Sequence, residues 1–235
     1  TISPSGVLTT DADTAVNFNA VAYDHLSMVQ APPMTWSLSS SSPAGTIGSN
    51  GLFTPSAAGN VSVNACFGLV CGMQTIYVTP GAPTELLVSP LTATITADDT
   101  LNILASMVDQ HGNPVAGETL TYTPSNGSMS GSTFLPLGAG SHTVTVTHPA
   151  SGAQVVVDVT VLPGVPSYFV LGGCEGTVPA GVWCAITVDF YDQFGNALDV
   201  EDAGNLTWTT TNGNFSEVNQ KYFPDHVGVW WLNLT

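Results

Sequence analysis

Apolar and polar residues alternate with a period of two in several short segments of the chain. Valine occupies every second position from Val155 to Val161, and Val144 and Val146 alternate with threonines. Such alternation is typical of half-buried β-strands, whose successive side chains point to opposite faces of a sheet. The 24 glycines and 16 prolines separate these segments, and long stretches with the period of a helix are missing. The pattern predicts an all-β protein of antiparallel strands.

Three features recur at a spacing of about 85 residues. The first is an apolar strand that ends in aspartate, the second is a short strand with an aromatic residue, and the third is a later strand after a turn. The aspartates are Asp24, Asp109 and Asp192, and the aromatic residues are Trp36, Tyr122 and Trp208. Internal repetition of this kind indicates tandem domains.

The repeats predict three domains, residues 1–80, 81–164 and 165–235, which we name copy one, copy two and copy three. Each of the first two closes with a strand and a Pro-Gly dipeptide at the predicted linker. A repeat of this length suits a seven-stranded sandwich that buries about 60% of its unfolded surface. We expect the aromatic residue of each copy to fill the space between two sheets, the alternative being an exposed platform for a ligand.

Two sequence patterns resemble known immunoglobulin-like repeats. Asp-Gln-His-Gly-Asn-Pro-Val-Ala-Gly, from Asp109 to Gly117, resembles the bacterial domains of invasin- and intimin-type adhesins. Trp-Ser, Gly-Thr-Ile, Asn-Gly-Leu-Phe-Thr-Pro and Ala-Gly, between Trp36 and Gly59, are similar to repeats of large bacterial and archaeal surface proteins. The resemblance implies tandem immunoglobulin-like antiparallel β-sandwiches that serve as spacers or adhesive stalks. No cysteine is placed for the inter-sheet disulfide of antibody domains.

Copy three is expected to lack its final strand, because it stops at Thr235 where the other two copies continue. Copy one is likewise expected to begin inside its first strand. Two explanations are open: the chain is a window of a longer tandem protein, or a neighbouring chain supplies the strand by β-augmentation.

The charge of the chain excludes several classes of function. Lys221 is the single Lys or Arg residue, 17 residues are acidic, and the formal net charge is −16. Phosphate neutralisation by a nucleic-acid-binding protein and a basic helix on a membrane surface both require more cations. Charged residues make up only 8% of the chain, against about 25% in typical proteins, so an acid-coated, salt-adapted surface is also a poor description. No apolar run reaches the roughly 20 residues of a membrane-spanning helix.

Four cysteines form two close pairs along the sequence. Cys66 ends a predicted strand and Cys71 begins the next, while Cys174 and Cys184 flank a predicted turn. We predict one disulfide within each pair, which would place the protein in an oxidising, extracytoplasmic setting. Metal ligation is the alternative, but neither pair has the CxxC spacing and no histidine is near in sequence.

Five Asn-x-Ser/Thr sequences are candidate sites of N-linked glycosylation. They begin at Asn60, Asn126, Asn205, Asn214 and Asn233. Chance occurrence is the alternative, since the chain is rich in Asn, Ser and Thr.

Catalytic motifs are absent from the sequence. It contains no nucleophile elbow, phosphate-binding loop or dinucleotide fingerprint. The histidines are scattered over the three copies; they are His25, His111, His142, His148 and His226. The neighbouring carboxylates Asp98/Asp99 and Glu201/Asp202 are expected to be solvated turn residues. We therefore predict that this chain is not an enzyme.

Calcium is the metal ion that the sequence favours most, although no cofactor is required. Copy three holds 8 of the 17 acidic residues and has little positive charge to balance them. Carboxylates on loops near the end of a domain are suitable calcium ligands. The candidate ligands are Asp192, Asp199, Glu201 and Asp202, and solvated turns are the alternative.

The sequence favours a structural segment of a secreted or cell-surface protein: a stalk, a surface-layer component or a filament subunit. Its expected partners are adjoining domains or further copies of the same chain, with glycan as a further possibility. A recognition module, either an adhesin or a carbohydrate-binding tip, is the alternative, with Trp183, Trp230 and Trp231 as candidate contacts. An accessory region of an extracellular enzyme is a third hypothesis.

Overall fold

The computed structural model describes the chain at 1–23, 29–30, 33–39, 45–174, 177–199, 207–211, 213–216, 221–224 and 232–234. Every regular element in these residues is a β-strand, which confirms the all-β prediction. Contacts between Cα atoms group the chain into two compact units. The first contains residues 1–89, 104–121 and 146–155, and the second contains residues 90–103, 122–145 and 156–235. This division does not follow the three predicted copies, whose boundaries stay a prediction.

Copy one contains eleven strands among the described residues. They are β1 (Ile2–Ser3), β2 (Leu8–Asp11), β3 (Val16–Asn17), β4 (Asn19–Ala20), β5 (Ala22–Tyr23), β6 (Val29–Gln30), β7 (Thr35–Ser39), β8 (Gly45–Ile47), β9 (Leu52–Pro55), β10 (Gly59–Phe67) and β11 (Val70–Thr79). The main sheet has the order β2-β11-β10-β7, and smaller sheets are β3-β9-β8, β1-β4 and β5-β6.

Alternation along β10 builds the core of the first unit. Val61, Val63 and Ala65 are buried, whereas the residues between them are partly exposed. They pack with residues from other strands; the rest of the buried cluster is Ile2, Ala12, Phe18, Phe53, Ile76 and Val78. Trp36 packs against this cluster with its ring centroid 6.5 Å from that of Phe18. The prediction that Trp36 fills the core is therefore confirmed.

Copy two repeats the main sheet of copy one. Its strands are β12 (Pro83–Ser89), β13 (Thr92–Thr96), β14 (Leu101–Asn102), β15 (Leu104–Asp109), β16 (Pro114–Val115), β17 (Thr121–Pro124), β18 (Ser128–Ser130), β19 (Thr133–Leu135), β20 (Gly140–His148) and β21 (Ala153–Leu162). The order β13-β21-β20-β17 matches β2-β11-β10-β7, and the other sheets are β12-β15-β16 and β14-β19-β18. Along β21 the predicted alternation holds, since Val157, Val159 and Val161 are buried.

Copy three has the strands β22 (Pro166–Gly173), β23 (Cys184–Asp192), β24 (Ala197–Leu198), β25 (Trp208–Thr210), β26 (Asn214–Ser216), β27 (Lys221–Phe223) and β28 (Leu232–Leu234). The larger sheet has the order β22-β23-β27-β26, with β24 beside β23, and β25 pairs with β28. Ile186, Val188 and Phe190 form the buried cluster, against which Trp208 packs as predicted.

Two strand pairs differ from the antiparallel prediction. β2 is parallel to β11, and β13 is parallel to β21. In copies one and two an early segment thus pairs with the last strand of the main sheet and runs in the same direction. Alternation along a single strand carries no information about the direction of its neighbour, so the sequence pattern could not reveal this arrangement.

Candidate functional site: two matching carboxylate junctions

Two buried aspartates stand where β15 and β23 end and the motif Asp-Gln-x-Gly-Asn begins. Asp109 is 2% exposed and Asp192 is 0% exposed. One carboxylate oxygen of Asp109 accepts the backbone N–H groups of His111 and Asn113, each at 2.9 Å. The corresponding oxygen of Asp192 accepts those of Phe194 and Asn196 at the same distances. The motif therefore folds into a tight turn around its own carboxylate.

The second oxygen of each aspartate reaches the Pro-Gly linker. Asp109 Oδ2 accepts the N–H of Gly81 at 2.8 Å and the side-chain amide of Asn113 at 2.8 Å. Asp192 Oδ2 accepts the N–H of Gly164 and the amide of Asn196, both at 2.7 Å. Each linker is thus bonded to the turn 28 residues further along the chain.

Hydrogen bonding sets the ionisation of these carboxyl groups. Burial by itself raises the pKa of Asp109, but the four hydrogen bonds from Asn113, Gly81 and His111 outweigh it and lower the pKa to about 2. Burial opposes ionisation of Asp192 in the same way, and the bonds from Asn196, Gly164 and Phe194 again lower the pKa. Both groups are therefore anions at neutral pH.

A second carboxylate, contributed by the preceding copy, lies on each linker. Asp13 accepts the N–H of Ala82 at 3.0 Å and the side-chain amide of Gln110 at 2.6 Å. A Cβ atom at Gly81 would overlap the carboxylate of Asp13, which explains why glycine follows proline there.

The second junction repeats this arrangement. Asp98 accepts the N–H of Val165 and the amide of Gln193, both at 2.7 Å. A Cβ atom at Gly164 would overlap the carboxylate of Asp98. Asp98 is an exposed turn residue, as expected, and in addition it accepts hydrogen bonds from two donors of the next copy, which the sequence did not predict.

The asparagine that ends the motif extends the contact to a loop of the preceding copy. Asn113 is 9% exposed, accepts the N–H of Ala58 at 2.9 Å and donates to the carbonyl of Ser56 at 3.3 Å. Asn196 accepts the N–H of Ala139 at 2.8 Å. We name the contacts around Asp13, Gly81 and Asp109 the first junction, and those around Asp98, Gly164 and Asp192 the second junction.

The two junctions differ in one side chain. His111 in the first junction has its Nε2 3.5 Å from the Asp13 carboxylate, whereas Phe194 occupies the corresponding position in the second. The side chains of His111 and Asp13 are 30% and 29% exposed.

The polar groups of the junctions form hydrogen bonds with one another and hold segments of the chain together. Amide groups satisfy the oxygens of the buried aspartates, and the hydrogen bonds to Asp13 and Asp98 connect one copy to the next across each linker. Hydrogen bonds to a charged acceptor contribute about 1.5–3 kcal/mol each. No group of three or more His, Cys, Asp or Glu side chains that could hold a metal ion occurs among the residues with described positions.

The predicted calcium ligands are only partly described. Asp192 is buried and bonded to amide groups, while Asp199 is exposed. Glu201 and Asp202 lie outside the described residues, so the calcium site stays a prediction.

Both cysteine pairs are joined in the structure as the sequence suggested. Cys66 and Cys71 face each other across the β10–β11 hairpin with their Cα atoms 4.1 Å apart. Cys174 and Cys184 connect the end of β22 to the start of β23, with a Cα separation of 5.5 Å.

Three of the five candidate glycosylation sites have described side chains. Asn60, Asn126 and Asn214 are exposed. Asn205 and the side chain of Asn233 lie outside the described part, and glycosylation stays a prediction at all five.

The described histidines do not converge on one site. His148 is 1% exposed, with Nε2 2.8 Å from the Glu118 carboxylate and Nδ1 2.7 Å from the Ser151 hydroxyl. His142 contacts the carbonyl of Gly138 at 2.9 Å. His25 and His226 lie outside the described residues.

An apolar hairpin tip forms a separate exposed surface in copy one. Leu69 is fully exposed at the tip of the β10–β11 hairpin, and Val70 is 72% exposed. Beside it lies an open cavity of about 220 Å³. Its lining residues include Ile2, Tyr23, Met34, Phe67 and Val70. Trp183, in copy three, is 50% exposed and packs against Phe223 with tilted rings whose centroids are 5.0 Å apart, while Trp230 and Trp231 lie outside the described residues.

Comparison with solved structures identifies the fold. The Escherichia coli adhesin FdeC matches with a TM-score of 0.53 and 16% identity, over 99% of this chain and 86% of that one. Yersinia pseudotuberculosis InvD matches with a TM-score of 0.47 and 16% identity, over 100% and 82% of the two chains. Invasin, a bacterial integrin-binding protein, gives 0.47 and 16%, and the chain spans 56% of it. No protein-family model and no curated protein matches the sequence.

No helix in the part of the chain that the structure describes is long and apolar enough to cross a membrane. The repeated sheet order and the likeness to FdeC together show that the chain has the fold of tandem immunoglobulin-like β-sandwiches found in bacterial surface proteins.

Proposed function

We propose that this chain is a structural segment of an extracellular or cell-surface protein, in which each junction fixes one copy to the next. The repetition of the junction carries the proposal: the same donors and acceptors occur twice, 83 to 85 residues apart. A linker that served only as a flexible tether would need neither a buried carboxylate nor a specific glycine. The two disulfides support an oxidising location, and FdeC, which has the same fold, is an adhesin.

The junction limits rotation at the linker because it binds the linker from both sides. Asp109, in copy two, holds Gly81 from one side, and Asp13, in copy one, holds Ala82 from the other. Gln110 then connects the second copy directly to Asp13. These bonds need no metal ion, so the proposed coupling should persist in the presence of a chelator.

Hydrogen exchange on the full chain tests the coupling. The amides of Ala82 and Val165 should be protected in the wild type and should exchange at least about tenfold faster in an Asp13→Ala/Asp98→Ala double variant, because each loses its acceptor. Asp158→Ala, at an exposed position, is the matched control. Rapid exchange of both linker amides in the wild type would contradict the proposal. Antibody labelling of intact source cells tests the location, and detection only after permeabilisation would refute it.

A recognition module is the second candidate function, because exposed aromatic and apolar groups are available for it. Trp183 is half exposed, and the disulfide between Cys66 and Cys71 closes the exposed hairpin that carries Leu69. An array of neutral glycans probed with the wild type and with Trp183→Ala tests it. Specific binding that Trp183→Ala abolishes would favour recognition, whereas silence of the whole array would leave the structural role favoured.

A further inference from the structure

Strand β22 forms an exposed, uncharged edge of its sheet. Four consecutive apolar or aromatic residues on this strand are each 40–49% exposed: Tyr168, Phe169, Val170 and Leu171. β22 stands at the end of the order β22-β23-β27-β26 and pairs, within the described residues, with β23 alone. An edge strand presents backbone N–H and C=O groups that can pair with another strand, and proteins usually protect such edges with charges.

The equivalent strand of copy two carries that protection. β12 occupies the same edge position beside β15, and its Glu85 pairs with Val108, the residue before Asp109. In β22 the corresponding residue is Tyr168, which pairs with Tyr191, the residue before Asp192. A carboxylate on one edge is thus replaced by a tyrosine on the other.

The apolar side chains of β22 are also more exposed than those at the matching positions of β12. Leu86 on β12 is 7% exposed, whereas Phe169, at the matching position of β22, is 40% exposed. Phe169 contacts Phe190 with ring centroids 5.9 Å apart, yet a large part of its surface stays uncovered. Both faces of β22 therefore offer apolar area to a partner strand.

The charge of the chain indicates which partner fits. With a formal net charge of −16, two molecules of this chain repel each other wherever their carboxylates approach. β22 contains no charged residue, and two carboxylates lie opposite it on the inner neighbour β23: Asp189, across from Val170, and the buried Asp192, across from Pro166. The edge of β22 is a surface that two such acidic chains can share without placing charges in contact.

We infer that two copies of this chain associate through their β22 edges, as antiparallel strands related by a two-fold axis. Backbone hydrogen bonds join the two sheets, and Tyr168 and Val170 of both chains cover one face of the new strand pair. This inference goes beyond the proposed function, because the junctions act within a single chain and need no second copy.

Analytical ultracentrifugation of the full chain over a wide concentration range tests the association. The wild type should show a reversible monomer–dimer equilibrium. Tyr168→Glu, which introduces the charge that β12 carries, should weaken association by about tenfold or more. Leu87→Glu, on the exposed part of β12, is the matched control and should leave association unchanged, since it adds the same charge at the other edge.

Three results would overturn the inference: a wild type that stays monomeric at every concentration, association that Tyr168→Glu does not change, or equal weakening by Leu87→Glu. Near-ultraviolet circular dichroism checks the folding of each variant. If Tyr168→Glu misfolds, hydrogen exchange of the wild type decides, because the β22 amides should become protected as concentration rises. Linker protection at low concentration reports on the junctions separately, so failure of one proposal does not imply failure of the other.

Discussion

Asp109→Asn is the substitution that most directly tests the junction, because it changes one oxygen to an amide at nearly constant volume. Asp109 Oδ1 accepts the N–H groups of His111 and Asn113, and an asparagine oxygen can still do so. Its amide would then face the N–H of Gly81 and the side-chain amide of Asn113, which are both donors. The variant therefore loses two charge-assisted bonds and brings donor groups together.

The expected cost follows from these contacts. Hydrogen bonds to a charged acceptor contribute about 1.5–3 kcal/mol each, so the loss of two predicts a decrease of about 3–6 kcal/mol in the free energy of unfolding of this region. The exposed substitution Asp158→Asn makes the same chemical change in the same copy. It should alter stability by less than about 0.5 kcal/mol.

Native-state hydrogen exchange on the full chain can measure this difference by region, which is necessary because copy two contains no tryptophan. Amides of β15 and of Gly81 should open more readily in Asp109→Asn, whereas that of Gly164, bonded to Asp192 in the unchanged second junction, should be unaffected. If Asp109→Asn exchanges no faster than Asp158→Asn at Gly81, the hydrogen bonds of the junction do not stabilise the linker and the reasoning fails.

Three further predictions follow from the same geometry. Because its pKa is lowered to about 2, ionised Asp109 contributes stability that is fully present above about pH 5 and is lost as pH falls through 2. The difference in free energy of unfolding between wild type and Asp109→Asn, measured by urea titration, should therefore decrease by about 2 kcal/mol between pH 7 and pH 2. Gly81→Ala should destabilise the chain by about 1–3 kcal/mol through overlap with Asp13, and a double-mutant cycle with Asp13→Ala should recover part of that loss. Replacement of Cys66 and Cys71 by serine should lower the free energy of unfolding of copy one by roughly 2 kcal/mol, as expected for a short closed loop, and an unchanged denaturant midpoint would contradict this.

Strands could be predicted from the sequence with good accuracy, because their side chains alternate between core and solvent. The valines of β21 and the aromatic residues Trp36 and Trp208 occupy the predicted environments. The direction of β2 and β13 could not be predicted, since it depends on which sheet an early segment joins and not on its own pattern.

The junction shows where sequence reasoning stopped. The repeated Asp-Gln-x-Gly-Asn motif and the Pro-Gly dipeptides were visible, but the bond between Asp109 and Gly81 joins segments 28 residues apart and has no local signature. One usable signal was missed: Asp13 precedes Asp24 by the same eleven residues that separate Asp98 from Asp109. A repeated aspartate at fixed distance from an anchor indicates a shared contact, whereas solvated turn residues need not keep their spacing.

The scarcity of cations and the form of the junction have a common physical basis. A buried carboxylate must be paired or hydrogen-bonded, because desolvation otherwise favours its neutral form. With Lys221 as the single Lys or Arg, the chain cannot supply salt-bridge partners to Asp109 and Asp192. Backbone and side-chain amides take that role instead, which requires the tight turn of the motif, its terminal asparagine and a linker glycine close enough to donate. The acidic residues that matter most for this molecule are therefore those whose charge amide groups stabilise by hydrogen bonds. The other carboxylates leave the uncharged edge of β22 as a surface where two chains can meet.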